Sequence, residues 1–197
     1  MKKVVLASHN AGKIKEFGEL LRPLHLDLLP QSAFSIPEAE EAGLTFVENA
    51  LLKARLASRF TGLPAIADDS GLSVFALSGA PGIHSARFAG TKSSAHDNIK
   101  KLLAELESFP FEERKAYFYC VIVFILKEDD PIPLICEGKW EGIILSEPRG
   151  QQGFGYDPVF YVPSEQKTAA ELSLAVKNKI SHRGIAMQLL KIKLSEK

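Results

Sequence analysis

The chain has little of several features that would each indicate a particular class of protein. Its 197 residues include two cysteines, and its 24 Lys and Arg residues balance 24 Asp and Glu residues, so the formal net charge is zero. Two cysteines within apolar runs do not make a disulfide framework, which favours buried free thiols and a reducing cytoplasm. A net charge of zero argues against bulk electrostatic attraction to nucleic acid or to a membrane surface.

Long apolar runs are also missing. The longest, Cys120 to Leu126, is far too short to span a membrane and is typical of a buried strand. The chain begins Met1-Lys2-Lys3, as a secretion signal can, but the apolar run that follows ends at Ala7 and is too short for a signal peptide. We therefore expect a cytoplasmic protein that binds neither membrane nor nucleic acid.

The composition is otherwise that of an ordinary globular protein, 46% hydrophobic and 24% charged. A chain of this length can bury a substantial core, which predicts one large domain, residues 1-197, or two lobes that share a core. No repeat, linker or low-complexity segment divides it. Strand-like and helix-like segments follow one another in a pattern that predicts a mixed α/β fold with a β-rich middle and helical ends.

Apolar periodicity predicts the elements of the first part of the chain. A strand over Lys3 to Ala7 precedes a helix whose apolar residues recur at helical spacing. Leu26 to Leu29 is a candidate second strand. Thr45 and Glu48 then form a capping-box pattern, which predicts a helix through about Phe60.

The later part of the chain is predicted to hold a hairpin between two helices. A helix over Asp97 to Leu106 precedes strands over Tyr117 to Lys127 and Ile132 to Trp140, with Asp129-Asp130-Pro131 at their turn. A last helix is predicted from about Lys179 to Leu194.

Two adjacent carboxylates follow a predicted buried strand, in the sequence Asp68-Asp69-Ser70-Gly71. Burying them is costly because each loses its hydration and repels the other. Folds usually tolerate this where a metal, a basic ligand group or a catalytic role compensates. The alternative is a plain strand-to-turn junction, since Asp, Ser and Gly are residues that turns favour. Both interpretations place the stretch in a turn, and these residues alone leave both open.

A second candidate lies between the first strand and the first helix, in a turn that holds Ser8, Asn10 and Lys13. Open α/β sheets bind ligands at such turns. The helix N-terminus offers backbone N–H groups and a partial positive charge to an anion, and Lys13 adds a full charge. The glycine spacing of a Walker A loop is missing. Helix capping by Asn10, with a solvated Lys13, is the alternative.

Three charged residues near the helix that begins after Thr45 are further candidates. Glu48 lies in its first turn, where a capping role accounts for it. Glu41 lies before the cap and could join Asp69 on a hard divalent cation, which takes carboxylate oxygens. Lys53 lies on the same helix, and its spacing does not fix whether it faces a ligand, so an exposed lysine is the default interpretation.

Two segments near the end of the chain could form a base-binding site. In Gly153-Phe154-Gly155-Tyr156-Asp157-Pro158 the glycines permit close backbone approach, an exposed Phe154 could stack on a planar base, and Asp157 could accept from a ring N–H. A hairpin turn with buried aromatics is the alternative. Ser181-His182-Arg183 opens the last helix. Basic residues at this positive end favour binding of something anionic or carbonyl-bearing.

Six segments together resemble one family, the inosine/xanthosine triphosphate pyrophosphatases, also called the Ham1 or RdgB-like family, in its bacterial form. They occur in order over nearly the whole chain, and the last two are quite specific to the family. Ser8 stands where many members carry Thr and keeps the hydroxyl, and His9 stands where a small residue is common. The segments are Ser8-His9-Asn10-Ala11-Gly12-Lys13, Thr45-Phe46-Val47-Glu48-Asn49-Ala50, Ala67-Asp68-Asp69-Ser70-Gly71-Leu72, Gly79-Ala80-Pro81-Gly82-Ile83, Gly153-Phe154-Gly155-Tyr156-Asp157-Pro158 and Ser181-His182-Arg183.

The resemblance implies an elongated mixed β-sheet flanked by helices, with two lobes and a central active-site cleft, commonly in a homodimer. It implies a single pyrophosphatase domain over 1-197 that hydrolyses the deaminated purine nucleotides ITP, dITP and XTP to monophosphate and pyrophosphate with Mg²⁺, cleansing the nucleotide pool. A Maf-like pyrophosphatase for other modified nucleotides and a non-catalytic nucleotide sensor are the alternatives.

The resemblance also implies roles for individual residues. Asp69 would be the general base and would share the metal with Glu41, while Asp68 would tune its neighbour or anchor the turn. Ser70 would contact the nucleotide and Phe154 would stack on the purine. The remaining residues would hold the phosphates (Ser8, His9, Asn10, Ala11, Gly12, Lys13 and Lys53) or complete the substrate pocket (Gly155, Tyr156, Asp157, Lys177, His182 and Arg183).

The implied specificity has a chemical basis. Deaminated purines carry a carbonyl where adenine carries an amine. Donors such as His182 and Arg183 would pair with that oxygen and would leave the adenine amine without an acceptor. Guanine shares the carbonyl, so these donors alone do not account for its exclusion.

Overall fold

The structure is a computed structural model that describes residues 3–8, 10–24, 26–37, 39 and 42–196. The chain forms two compact units. Unit 1 consists of Met1–Asp69, Cys120–Gly138 and Arg183–Lys197, and unit 2 of Ser70–Tyr119 and Lys139–His182.

Seven strands form one mixed sheet within the described residues, in the order β2-β1-β3-β4-β5-β6-β7. Strand β1 pairs in parallel with β2 and β3, whereas β6 pairs antiparallel with β5 and β7. The strands are β1 Lys3–Ala7, β2 Asp27–Pro30, β3 Ala65–Val74, β4 Lys115–Ile125, β5 Leu134–Ile144, β6 Phe160–Val162 and β7 Lys167–Thr168. The helices are α1 Ala11–Leu21, α2 Phe46–Thr61, α3 Ala95–Glu105, α4 Leu174–Ile180 and α5 His182–Ser195. The prediction of a mixed sheet flanked by helices is therefore confirmed.

The connections around β1 create a switch point in the sheet. The chain leaves β1 through α1 to β2 on one side, and then passes through α2 to β3 on the other side. Because parallel crossovers are right-handed, α1 and α2 lie on opposite faces of the sheet. Ligands in open α/β sheets bind at the carboxyl ends of strands at such a point. Ala7, the last residue of β1, is in register with Ala67 of β3, so Asp68 and Asp69 continue β3 just beyond the end of β1.

Each unit has its own apolar core. In unit 1, Val4, Leu6 and Ile66 of the sheet pack in one cluster with Phe17 of α1 and Met187 of α5. The alanines that α2 buries are Ala50, Ala54 and Ala57. In unit 2 the core combines aliphatic and aromatic side chains from β3, β4, β5 and β6, among them Leu72, Phe118, Trp140 and Phe160.

Several sequence predictions are confirmed in detail. Strand β1 has the predicted bounds, Lys3–Ala7. The capping box before α2 is formed: Thr45 Oγ1 accepts from the Glu48 N–H, and the Glu48 carboxylate accepts from the Thr45 N–H at 2.8 Å. This confirms the capping role of Glu48. Strand β2 is shifted by one residue from its prediction, and α3 begins at Ala95, after Ser94 caps it.

Two predictions are wrong. The stretch Asp68-Asp69-Ser70-Gly71 is not a turn, because β3 runs without interruption from Ala65 to Val74. The last helix does not begin near Lys179, which belongs to α4; α5 begins at His182, which confirms that Ser181-His182-Arg183 opens the last helix. At Asp68 and Asp69 the local preference for a turn is outweighed by ion pairs with residues distant in the sequence.

No helix in the described part of the chain has the length and apolar character needed to cross a membrane.

Candidate active site

The residues predicted for the site are divided between the two units. The unit boundary falls twice within the predicted site, between Asp69 and Ser70 and between His182 and Arg183. Unit 1 contains Ser8, Asn10, Ala11, Gly12, Lys13, Lys53, Asp69 and Arg183, and unit 2 contains Ser70, Phe154, Gly155, Tyr156, Asp157, Lys177 and His182. His9 and Glu41 lie outside the described residues.

The two adjacent aspartates are both buried, and their side chains project to opposite faces of β3, as neighbours in a strand do. Asp68 shares the parity of Ile66, which packs in the core with α1 and α5, and its ionic partners come from these two helices. Asp69 projects the other way and meets side chains of α2. Alternation along the strand therefore separates two carboxylates that would repel each other on one face.

Asp68 is 2% exposed and is surrounded by donors. Its Oδ2 lies 2.8 Å from Lys13 Nζ, 3.6 Å from Arg183 Nε and 4.0 Å from the Cys120 thiol sulfur. Burial by itself would raise the pKa of Asp68, but the charges of Lys13, Arg183 and Lys53 outweigh it and hold this pKa well below its ordinary value. Asp68 is thus an ionised anchor for two cations, and the interpretation of Lys13 as a solvated lysine is wrong.

Asp69 has a different set of partners. Its Oδ1 lies 2.8 Å from Lys53 Nζ, and its Oδ2 lies 3.4 Å from the Asn49 side-chain nitrogen. Both partners lie on α2, four residues apart and therefore on one face of that helix. Lys53, whose direction the sequence left open, faces the sheet and the aspartate.

Arg183 lies at the start of α5 and is 3% exposed. Its guanidinium forms an ion pair with Glu16 of α1 in addition to its contact with Asp68. Burial lowers the pKa of Arg183, but the two carboxylates outweigh that effect and raise it above its ordinary value. Sequence reasoning missed Glu16, although its position three residues after Lys13 on α1 puts both on one helix face.

The turn between β1 and α1 combines capping with an open helix terminus. Asn10 caps α1 by accepting from the Lys13 N–H at 3.1 Å, and Ser8 Oγ accepts from the Asn10 N–H at 3.2 Å. No acidic residue lies in the first turn of α1, so the helix dipole is not neutralised there. The predicted capping by Asn10 is confirmed, and this turn keeps the features of an anion site.

In unit 2 a buried ion pair holds the loop Gly153-Phe154-Gly155-Tyr156-Asp157-Pro158. Lys177 Nζ lies 2.7 Å from Asp157 Oδ2 and 5.5 Å from the centre of the Phe154 ring. The same Asp157 oxygen accepts from the Phe154 N–H at 2.9 Å. Gly153 has a φ of 80°, and a Cβ there would lie 2.1 Å from that oxygen, so only glycine fits. Phe154 is 37% exposed, which leaves its ring available for stacking.

His182 lies in a stack of aromatic rings. Its imidazole is nearly parallel to the Phe118 ring, with 4.8 Å between ring centres and 14° between planes, and the Trp140 ring lies 6.3 Å away. The stack fixes the plane of the imidazole, so its nitrogens can donate only along defined directions.

Tyr156 and Ser70 differ in their surroundings. The Tyr156 hydroxyl donates to the backbone carbonyl of Ser85 at 2.8 Å, and burial raises the pKa of this phenol above its ordinary value. Ser85 in turn accepts from the Leu72 N–H at 2.8 Å, so Tyr156 joins its loop to the core. Ser70 is half-buried in β3.

The described residues hold no group of three or more His, Cys, Asp or Glu side chains placed for a metal ion, and Glu41 lies outside them. The carboxylate oxygens of Asp69, at the switch point of the sheet, are nevertheless the type of ligand that a hard cation prefers. Unit 1 therefore pairs cations suited to phosphate with a carboxylate suited to a metal or to an attacking water.

Comparison with known proteins gives concordant results. The model of the Ham1 family matches residues 4–193. A dITP/XTP pyrophosphatase of Shigella flexneri is 55% identical over 190 residues, 96% of each chain, and one of Coxiella burnetii is 54% identical over 196 residues, 100% of this chain and 98% of that one. The solved structure of a HAM1 protein from Coxiella burnetii has a TM-score of 0.93 and 54% identity, and the match covers all of both chains. The chain therefore belongs to the Ham1 family.

Proposed function

We propose that this chain is an enzyme that hydrolyses the deaminated purine nucleoside triphosphates ITP, dITP and XTP to the monophosphate and pyrophosphate. The single observation that carries this proposal is the pair of aspartates at the switch point of the sheet, each bound to its own lysine at 2.8 Å. Relatives named dITP/XTP pyrophosphatase, similar over nearly the whole chain, support the choice of substrate. We further propose that residues 1–197 work as one domain of two lobes.

Binding of the triphosphate uses the cations of unit 1. Lys13 and Lys53, together with the N–H groups at the start of α1, would receive phosphate oxygens, with Ser8 and Asn10 beside them. Before substrate binds, Asp68 and Asp69 neutralise these lysines. These ion pairs hold the lysines in place and compensate their charges. With substrate bound, the lysines would stabilise the negative charge that develops on the phosphate oxygens in the transition state.

The chemical step assigned to this chain is activation of water. Asp69 would accept a proton from the water that attacks phosphorus. Lys53 Nζ, 2.8 Å from its carboxylate, keeps Asp69 oriented. Asp68 would not react, because Lys13 and Arg183 already occupy it, and its part is to hold these two side chains.

A magnesium ion fits this donor set. Asp69 and Glu41 would hold it through their carboxylate oxygens, the ligands that a hard divalent cation prefers. When bound, it neutralises phosphate charge and acts as a Lewis acid toward the phosphoryl group.

Base recognition would fall to unit 2. Phe154 would stack on the purine, and the fixed imidazole of His182 would donate to the carbonyl that adenine lacks. Lys177 and Asp157, joined at 2.7 Å, offer a donor and an acceptor to the ring edge. Ser70, Gly155 and Tyr156 shape the same pocket. Arg183 would take part in this pocket only through a change of partner, since Glu16 and Asp68 hold its guanidinium.

We also propose a cytoplasmic homodimer that binds no nucleic acid and no membrane. Sedimentation equilibrium measures the mass of the particle directly, and twice the chain mass of 21.6 kDa is expected.

The deciding assay measures pyrophosphate release from ITP, dITP and XTP with Mg²⁺, against ATP and GTP. Pyrophosphate from the first three is expected, and equal rates on all five would contradict the specificity. A Maf-like enzyme would instead act on other modified nucleotides in the same panel.

Asp69→Asn should fold normally, and its kcat should fall at least about 100-fold, which is the contribution typical of a general base. Asp129→Asn is the control, because Asp129 is exposed and forms an ion pair with the surface residue Lys127. This substitution should leave kcat unchanged.

A further inference from the structure

A buried asparagine on α2 connects the aspartate proposed as general base to a segment distant from it in sequence. Asn49 is 1% exposed. Its side-chain nitrogen lies 3.4 Å from Asp69 Oδ2, and its side-chain oxygen accepts from the Gly43 N–H at 2.9 Å. One carboxamide thus bridges β3 and the chain just before α2. The proposed mechanism gives Asn49 no role.

The bridge depends on close approach of the backbone at Gly43. A Cβ at this position would lie 2.7 Å from the Asn49 side-chain oxygen and 2.7 Å from Glu48 Cβ. Real Cβ atoms do not approach other atoms so closely, so residue 43 has to be glycine for its N–H to reach the amide. The fit of Gly43 and Asn49 therefore belongs to one local arrangement.

The carboxamide of Asn49 satisfies both contacts. Its oxygen accepts from a backbone N–H while its nitrogen donates to a carboxylate, whereas an ionised Asp can only accept and an Ala can do neither. A buried amide is costly unless it is hydrogen-bonded at both ends. The side-chain nitrogen of Asn49 donates to Asp69, the carboxylate that the proposed reaction needs.

We propose that Asn49 is a positioning residue for pyrophosphate hydrolysis. Its amide fixes the carboxylate of Asp69 and ties it to the backbone at Gly43, just before α2. The carboxylate proposed to hold the cation and to activate water is thereby restrained through α2. This inference rests on the proposed function, because the role of Asp69 comes from it.

The test compares Asn49→Ala with the wild-type protein by two measurements. The first is Mn²⁺ affinity without nucleotide, followed by electron paramagnetic resonance of free Mn²⁺. The second is kcat and KM on dITP with Mg²⁺. Loss of a group that orients metal ligands typically weakens metal binding or activity by 10- to 100-fold, so we expect about a 10-fold loss of Mn²⁺ affinity and of kcat, with KM nearly unchanged.

A matched control exists in unit 2. Asn98 is a buried asparagine on α3 whose oxygen accepts from the Ala89 N–H at 2.7 Å and whose nitrogen donates to the Ala86 carbonyl at 3.1 Å. It ties down a loop as Asn49 does, but it contacts backbone and the Ser93 hydroxyl, whereas Asn49 contacts the carboxylate of Asp69. Asn98→Ala should lower stability and leave Mn²⁺ affinity and kcat at wild-type values.

A second variant keeps the proposal testable if Asn49→Ala folds poorly. Asn49→Asp preserves shape and the acceptor for the Gly43 N–H but loses donation to Asp69, so kcat should again fall about 10-fold. Wild-type Mn²⁺ affinity in Asn49→Ala, full kcat in Asn49→Asp, or a wild-type protein that binds no Mn²⁺ would each overturn the proposal. Failure of the wild type to release pyrophosphate would overturn the proposed function instead, and the Mn²⁺ comparison would still decide the part of Asn49.

Discussion

Among single residues, Asp68 shows how strongly a buried charge depends on its partners. It is almost completely buried, and Lys13 and Arg183 supply its compensation from two different helices. Removing one partner of such a network leaves the others as uncompensated charges, which costs more than the network itself contributes.

The variant Asp68→Asn tests this directly. We expect it to lose about 3 kcal/mol of unfolding free energy, since Lys13 would lose the carboxylate it pairs with, and the buried Arg183 would lose one of its carboxylate partners while Glu16 remains. Urea unfolding followed by circular dichroism gives the value. Glu141→Gln is the control, because Glu141 pairs with Lys139 at 2.7 Å on the surface, where such pairs contribute little. A loss no larger than in this control would show that Asp68 is not the anchor described here.

The same residue predicts a pH dependence of stability. The pKa of Asp68 in the folded protein lies below the ordinary value of 3.8, because nearby cations outweigh the effect of burial. The unfolded chain therefore takes up a proton first as the pH falls, and the stabilisation present above about pH 5 is lost progressively below about pH 4. The difference in unfolding free energy between wild type and Asp68→Asn should shrink as the pH falls from about 5 to about 3 in metal-free buffer. A constant difference would contradict the assigned shift.

Sequence reasoning at this scale pointed to the residues proposed for the reaction, but not to the side chains that hold them in place. Asp69, Lys13 and Lys53 were identified from motifs and residue types. Glu16 and Asn49 were missed as site residues, because a sequence does not say which side chains meet across helix and sheet. Glutamate and asparagine in a helix are ordinarily solvent-facing, so their burial became visible only with the fold.

Among the elements, the loop that carries Phe154 depends on two glycines with positive φ. Gly153 has a φ of 80° and no room for a Cβ, whereas Gly155 has a φ of 59° and open space around it. Substitutions at these two glycines therefore distinguish the effect of backbone strain alone from that of strain combined with a steric clash with Asp157.

We expect Gly155→Ala to lose about 1 kcal/mol, the usual cost of a left-handed conformation in alanine. Gly153→Ala should lose more, because the new methyl would also displace Asp157 from Lys177 and from the Phe154 N–H. It should in addition raise KM for dITP more than Gly155→Ala does. Unfolding free energies and steady-state kinetics of both variants are the measurements. Equal effects of the two substitutions would contradict the ion-paired loop.

The elements themselves were predictable where local signals and packing agree. Strand β1 is Val- and Leu-rich, and α2 begins at a capping box, so both appeared from the sequence at or near their true ends. The acidic stretch of β3 was wrongly predicted as a turn because Asp, Ser and Gly prefer turns locally. Partners from α1, α2 and α5 compensate its charges and allow the strand to continue. At this stretch, tertiary contacts therefore outweigh the local preference of Asp, Ser and Gly for a turn.

For the molecule as a whole, the predicted mixed sheet is confirmed, and each of the two compact units has its own core. The predicted central cleft and the homodimer remain predictions. The two cysteines report on the core of unit 1, since both lie in the same cluster, on β4 and β5.

Both thiols should therefore react only when the structure opens. Burial raises the pKa of Cys120 to about 12 and also raises that of Cys136, so few thiolates exist near pH 8. We expect slow reaction of the native protein with a disulfide reagent, and two thiols per chain after unfolding in urea. Ser108→Cys places a thiol at an exposed position and should add one fast-reacting group. Fast reaction of a native thiol would contradict the packing of this core.

The central claim is that this chain removes deaminated purine triphosphates while sparing the normal ones. A competition assay tests it most directly: dITP and dATP at equal concentration in one tube, with Mg²⁺, and products separated by chromatography. We expect dIMP and pyrophosphate while dATP persists, because the proposed donation from His182 needs a carbonyl that adenine lacks. Formation of dAMP at the same rate as dIMP would contradict it.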